Sequence, residues 1–127
     1  MAERDLRVAL IDDFNAAEAH RINGEYDEAV ELYKKVLEAD SQHLGAHIGL
    51  GLVYGFTGLF DESIELLQKC VDLAPESLDA RMHLAKTHLM LGMYEEGSAG
   101  FNEILRMDPE NEEAHKQKAF LKEFGIE

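Results

Sequence analysis

Residues 44–77, LGAHIGLGLVYGFTGLFDESIELLQKCVDLAPES, read as two amphipathic stretches with a break between them. Apolar residues recur at helical spacing from Leu44 to Phe56 and again from Phe60 to Leu73, and Thr57 with Gly58 supplies the interruption. The stretch is one of three. Gly58 has counterparts at Gly24 and Gly92, and Phe60 has them at Tyr26 and Tyr94, an offset of about 34 residues in either direction. The same offset relates Ser63 to Ala29 and Gly97, Leu67 to Tyr33 and Phe101, Val71 to Leu37 and Leu105, and Pro75 to Ser41 and Pro109. A whole supersecondary unit therefore recurs, and self-similarity at this period marks a stacked array of helix pairs.

Working outward, the third unit predicts helices over Leu78–Leu91 and Tyr94–Met107, with Gly92 at the turn and Pro109 just past the end. In the first unit the opening helix begins before the repeat register does, because Leu6, Val8, Leu10, Ile11 and Phe14 continue the apolar pattern. A last helix is predicted over Glu112–Phe124. It has Ala114 and Ala119 in its small-residue slots, but Lys118 where a core Leu belongs and Lys122 where an aromatic belongs. A polar outer face keeps the end of such an array in solution, so this helix reads as a cap. The expected organisation is one domain over residues 1–127: a helical extension (1–9), three units (10–43, 44–77, 78–111) and a capping helix (112–127).

The chain of 127 residues carries 26 acids against 12 bases, a net charge of −14. Such a surface repels phosphate backbones and anionic lipid, so the sequence argues against nucleic acid and favours a basic or apolar partner. No apolar run approaches the ~20 residues that span a bilayer, and MAERDLRVALIDDF does not read as a secretory leader. Cys70 is the only cysteine, which excludes an internal disulfide and agrees with a reducing compartment. The expected location is the cytoplasm.

Acid pairs open every second helix: Asp27 with Glu28, Asp61 with Glu62, Glu95 with Glu96. Carboxylates in a first turn are stabilised by the helix macrodipole, by a few tenths to ~1 kcal/mol each, and read as structural. No Ser-His-Asp arrangement, phosphate-binding Gly loop or paired-cysteine motif is present. No enzyme activity, cofactor or metal is expected.

With these residues in place, the chain resembles the tetratricopeptide repeat family. Leu50, Gly51, Tyr54, Gly58, Phe60, Leu67 and Pro75 fill that family's pattern in the second unit, and Leu84, Ala85, Gly92, Tyr94, Phe101 and Pro109 fill it in the third. The first unit keeps Gly24, Tyr26, Ala29 and Tyr33 but has Asp13 for an aromatic and Ser41 for Pro. The resemblance implies an all-α, right-handed α-solenoid of three helix-turn-helix units plus a C-terminal capping helix, acting as a protein-binding scaffold. It also places His47 and His115 in the slot of the family's first aromatic, His20 and His88 in that of its middle one, and Cys70 in a small-residue slot. These residues read as packing rather than as ligands. His43 and His47 lie at helical spacing, but zinc needs three or four convergent ligands.

If His47, Leu50, Gly51 and Tyr54 form the buried stripe of their helix, the opposite stripe carries Gly45, Ile48, Gly49, Leu52, Gly55 and Phe56. The matching stripes hold Ile11, Phe14, Asn15, Glu18, Arg21 and Ile22 in the first unit, and Asp79, Met82, His83, Lys86, Leu89 and Met90 in the third. An uncovered apolar strip marks an interaction site. The candidate partner-binding groove is therefore Phe14, Glu18, Ile48, Gly49, Leu52, Phe56, Met82, His83, Lys86, Leu89 and Met90. Gly45 and Gly49 have two readings, room for a ligand backbone or slack in a weak helix. The expected partner is an apolar or amphipathic segment of another protein with basic flanks; the alternative is a homo-oligomeric scaffold that buries the same strip. Some members of the family clamp the C-terminal carboxylates of heat-shock chaperones with Lys, Asn and Arg. The aligned slots here hold Phe14, Glu18, Gly49, Asp79 and His83, without one Lys or Arg, so that role is not expected.

Overall fold

A computed structural model describes residues 5–127; residues 1–4 of the expected N-terminal extension lie outside the described residues. The described residues form seven helices and no strand: α1 (Leu6–Ile22), α2 (Tyr26–Ala39), α3 (Leu44–Phe56), α4 (Phe60–Leu73), α5 (Leu78–Met90), α6 (Tyr94–Met107) and α7 (Glu112–Glu123). Bounds read from the apolar pattern match α3, α4 and α6, and run slightly long at the ends of α5 and α7. Leu6–Ala9 continue α1 without a break, so the described part of the extension and the first repeat share one helix.

Helix starts follow the repeat. His43 Nδ1, Ser77 Oγ and Asn111 Oδ1, each one period from the next, accept from the backbone N–H groups of Ala46 (3.0 Å), Ala80 (3.1 Å) and Ala114 (2.9 Å). Each satisfies one of the orphan donors of α3, α5 and α7. Helices α2 and α6 have no side-chain cap; their acid pairs, Asp27 with Glu28 and Glu95 with Glu96, lie in the first turn instead. The loops before α3, α5 and α7 are tied by a second recurring bond. His47 Nε2 lies 2.9 Å from the carbonyl of Ser41, Arg81 Nε donates to Pro75 at 2.8 Å, and His115 Nε2 lies 2.7 Å from the carbonyl of Pro109. His47 and His115 thus hold a loop end to the helix that follows it.

Helix ends follow it too. Gly24, Gly58 and Gly92 have φ of 78°, 89° and 78°, and the next N–H bonds back to the carbonyls of His20, Tyr54 and His88 at 2.8 Å each. This is the Schellman closure, which needs a left-handed residue that glycine supplies at least cost. The three glycines share one backbone environment, as the period requires.

The chain divides into two compact units between Leu73 and Ala74. In the first, α1 pairs with α2 and α3 with α4, and α2 and α1 also touch α3. Its core gathers Ala17, Ala29, Tyr33, Val36, Ala46, Leu50 and Val53. Gly51 lets α4 come close: a Cβ there would lie 3.1 Å from Leu67, and Ser63 Oγ donates to the Gly51 carbonyl at 2.7 Å. In the second unit α6 packs on α5 and α7 around Ala85, Phe101, Ile104, Ala114 and Leu121. Equivalent positions are equally buried: Tyr33, Leu67 and Phe101 are all 0% exposed, as are Ala46, Ala80 and Ala114. Truncating a buried ring such as Phe101 to Ala costs ~3–5 kcal/mol, which is why these slots stay large.

Candidate functional site

In the first unit one candidate residue, Glu18, belongs to a polar cluster on α1 and α2, and Phe14 and Gly49 adjoin it. Tyr33 is fully buried, yet its hydroxyl donates to Glu18 Oε1 and accepts from Arg21 Nε at 3.0 Å, while Arg21 Nη2 donates to Glu18 Oε2 at 2.9 Å. Burial, reinforced by the bond to Glu18, raises the phenol's pKa well above its usual value of 10.0, so the proton stays on the ring oxygen. Glu18, expected on a groove wall, is thus committed to holding Tyr33 and Arg21.

That ring changes the meaning of two glycines. A Cβ on Gly49 would overlap the Tyr33 ring, and one on Gly45 would lie 2.8 Å from Phe14 Cζ. At Gly49 neither expected reading fits, since the space is filled by the Tyr33 ring and is not slack; at Gly45 the space is filled by the far end of Phe14. Phe14 packs with its ring centroid 4.8 Å from His43 and 6.3 Å from Tyr33. Ile48 is 8% exposed and Gly49 is buried, so these two do not offer the open surface expected of them. Leu52 is half-buried. Phe56 is 61% exposed and lies stacked with Tyr26, their centroids 6.0 Å apart and planes at 10°.

In the second unit Met82 and Leu89 lean partly into the core. The Leu89 methyl group fills the space that a Cβ on Gly97 would take, 2.7 Å away. His83 Nε2 lies 3.3 Å from Asp79 Oδ1 on the same helix, and Lys86 Nζ lies 3.3 Å from Glu113 Oε1 on α7. Met90 is 55% exposed. The open part of the candidate set is therefore Phe56 in the first unit and Lys86 and Met90 in the second; Phe14, Glu18 and Leu52 in the first, and Met82, His83 and Leu89 in the second, are half-buried.

Two further groups are shaped by burial. The Cys70 thiol is 0% exposed, and desolvation pushes its pKa up to about 11, so it stays protonated and unreactive at neutral pH. Burial lowers the His88 pKa below 6.5, partly opposed by Glu96, and favours the neutral ring. Among the described residues no three His, Cys, Asp or Glu side chains could together hold a metal ion, and no helix is long and apolar enough to cross a membrane.

Sequence reasoning passed over Phe120 on α7 and Phe124 just after it, 50% and 66% exposed. The signal was present, since they stand one period after Lys86 and Met90, but Lys118 and Lys122 drew the reading of α7 toward a polar cap.

A family model described as tetratricopeptide repeat matches residues 7–76, and a second of the same description matches residues 57–119. No curated protein matches the sequence. Among solved structures, the chain is similar to the first TPR of Spaghetti (RPAP3) bound to the HSP90 peptide SRMEEVD, at a TM-score of 0.79 and 19% identity over 90% of each chain. It is similar to the Arabidopsis OM64 TPR domain at a TM-score of 0.80 and 16% identity, over 91% of this chain and 96% of that one. An O-GlcNAc transferase mutant of Thermobaculum terrenum matches at a TM-score of 0.77 and 23% identity, over 91% of this chain but 22% of that one. At these identities the likeness is one of fold.

Proposed function

The chain belongs to the tetratricopeptide repeat family, and on that footing we propose that it is a non-enzymatic adaptor of the cytoplasm that holds an apolar or amphipathic, basic-flanked segment of a partner protein. One observation carries the reading. Ile22, Phe56, Met90 and Phe124 stand one period apart, at the same place in successive units, and are 73%, 61%, 55% and 66% exposed. Scattered exposed apolar side chains need no explanation, whereas recurrence at one position in every unit does.

Around these positions the first unit contributes Phe14, Glu18, Leu52 and Phe56, backed by Ile48 and Gly49. The second contributes Met82, His83, Lys86, Leu89 and Met90. Met side chains adapt to irregular partners, and the net charge of −14 steers basic flanks toward the chain. An acidic carboxylate tail fits poorly. The slots that would clamp one hold Phe14, Glu18, Gly49, Asp79 and His83; the Gly49 slot is occupied by Tyr33, and Asp79 adds a like charge.

A photo-crosslinker placed in turn at Phe56 and Met90 in native lysate tests the reading. The expected result is one shared partner, lost when Phe56→Ser and Met90→Ser are combined with helical circular dichroism unchanged, since both side chains are exposed. Capture that survives the double change would overturn the reading, and crosslinks only to a second copy would replace it with self-assembly.

A further inference from the structure

The C-terminal end of the second unit carries a shaped surface outside the candidate groove. After α7 the chain turns back at Gly125 (φ 77°), with Ile126 N–H bonded to the Leu121 carbonyl at 3.1 Å, and Ile126 packs against the unit's core. The return is pinned from α6. Ser98 Oγ donates to the Glu127 carbonyl at 2.8 Å, and Lys118 Nζ donates to Ser98 Oγ at 2.7 Å. Lys118, unexpected in a core slot, is therefore the buttress of this turn.

Two hollows share Ile126 as a wall. One, of about 260 Å³, is lined by Tyr94, Phe120, Leu121, Phe124 and Ile126, with the Phe120 and Phe124 rings 5.0 Å apart at 60°. Below the ~300 Å³ at which small-molecule pockets begin, it suits a single large side chain rather than a cofactor. The other, of about 380 Å³, has Glu95 and Glu127 on its walls beside Ser98 and Asn102. Neither side-chain carboxylate is in an ion pair among the described residues; the Lys118 ammonium, held by Ser98, stands at the wall of this hollow and leaves the two acids in excess.

An apolar socket adjoining an acid-walled hollow specifies its occupant. We propose that this end of the second unit docks a short peptide segment bearing one large apolar side chain with a Lys or Arg close beside it, the apolar group entering between Tyr94 and Phe124 and the cation reaching Glu95 and Glu127 across Ile126. A second copy of the chain fits less well, because it brings the same net charge of −14. The site shares Phe124 with the exposed series behind the proposed function, but its other walls lie outside the candidate groove, and it stands whether or not Phe56 and Met90 hold a partner.

Amide NMR titration with three short synthetic peptides tests it: one with a leucine flanked by lysines, one with that leucine replaced by serine, and one with the lysines replaced by glutamates. The leucine–lysine peptide should shift the amides of Tyr94, Phe124 and Ile126, and each control should bind at least about fivefold more weakly. Combining Phe120→Ser and Phe124→Ser should weaken binding about tenfold. Glu95→Gln should weaken it about threefold and reduce its salt dependence, while the Phe56→Ser, Met90→Ser protein should bind unchanged. Shifts confined to other residues, equal binding of the leucine–glutamate peptide, or no effect of either the paired phenylalanine changes or Glu95→Gln would overturn the proposal.

Discussion

The α-carbon of Gly49 faces the phenol of Tyr33 so closely that a Cβ built on it would overlap Cζ, Oη and Cε1 of the ring. The ring cannot yield, because Tyr33 is 0% exposed and its hydroxyl is held by Glu18 and Arg21. Gly49→Ala should therefore destabilise the protein by about 2–3 kcal/mol in urea unfolding, the cost of overpacking outweighing the ~1 kcal/mol that Ala gains in helix propensity. Gly45→Ala meets the far end of the half-buried Phe14 ring, which can swing aside, and His43 Cε1 at 3.3 Å, and should change stability by less than about 1 kcal/mol. In a Tyr33→Leu background the penalty of Gly49→Ala should largely vanish. A penalty that persisted there would assign the glycine to the backbone instead.

The Gly49 case shows where the sequence stops being legible. Periodicity gives which face of a helix a residue occupies, and it placed the helix pairs and the shared environment of Gly24, Gly58 and Gly92. It does not say which ring crosses from a neighbouring helix, so Phe14 over Gly45 and Tyr33 over Gly49 emerged only from the packing of α1 and α2 on α3. His43 escaped notice as a cap because Ser, Thr, Asp and Asn dominate that role. Its counterparts one and two periods on, Ser77 and Asn111, would have marked it. Lys118 read as a solvated cap residue, although it bends inward to Ser98. Such a bond depends on where the chain turns after α7, which no helical pattern encodes.

The turn glycines offer a test of repeat equivalence itself. A Cβ on Gly24, Gly58 or Gly92 meets nothing within 4 Å, so the cost of alanine there is that of the left-handed backbone alone. Each substitution should cost about 1 kcal/mol. Thermal or urea unfolding that separated the three by much more than the error of measurement would break the equivalence.

Alkali should act through Cys70. Its folded pKa of about 11 stands above the usual 9.0, so the folded state holds a proton that the unfolded chain gives up. The thiol's contribution is thus complete below pH 9 and lost as pH rises toward 11, with Tyr33, also raised, adding to the loss above pH 10. Cys70→Ala should lower stability by about 1 kcal/mol at neutral pH and flatten the pH 9–11 limb. The wild-type thiol should react with a soluble disulfide reagent only as fast as the protein opens.

Acid should act through His88, with the opposite sign. Its folded pKa is depressed below 6.5, chiefly by burial, so below pH 6.5 the unfolded chain takes up a proton that the folded state refuses. Stability at His88 is therefore full above pH 6.5 and falls as the pH drops toward the folded value. His88 stands in an aromatic slot, so His88→Phe keeps a ring in place while removing the titration. Urea unfolding of the two proteins between pH 7 and pH 5 should diverge, the wild type losing stability that the variant keeps. Parallel curves would mean that the imidazole is solvated in the folded state, and with it that this face of α5 is more open than its packing against α6 implies.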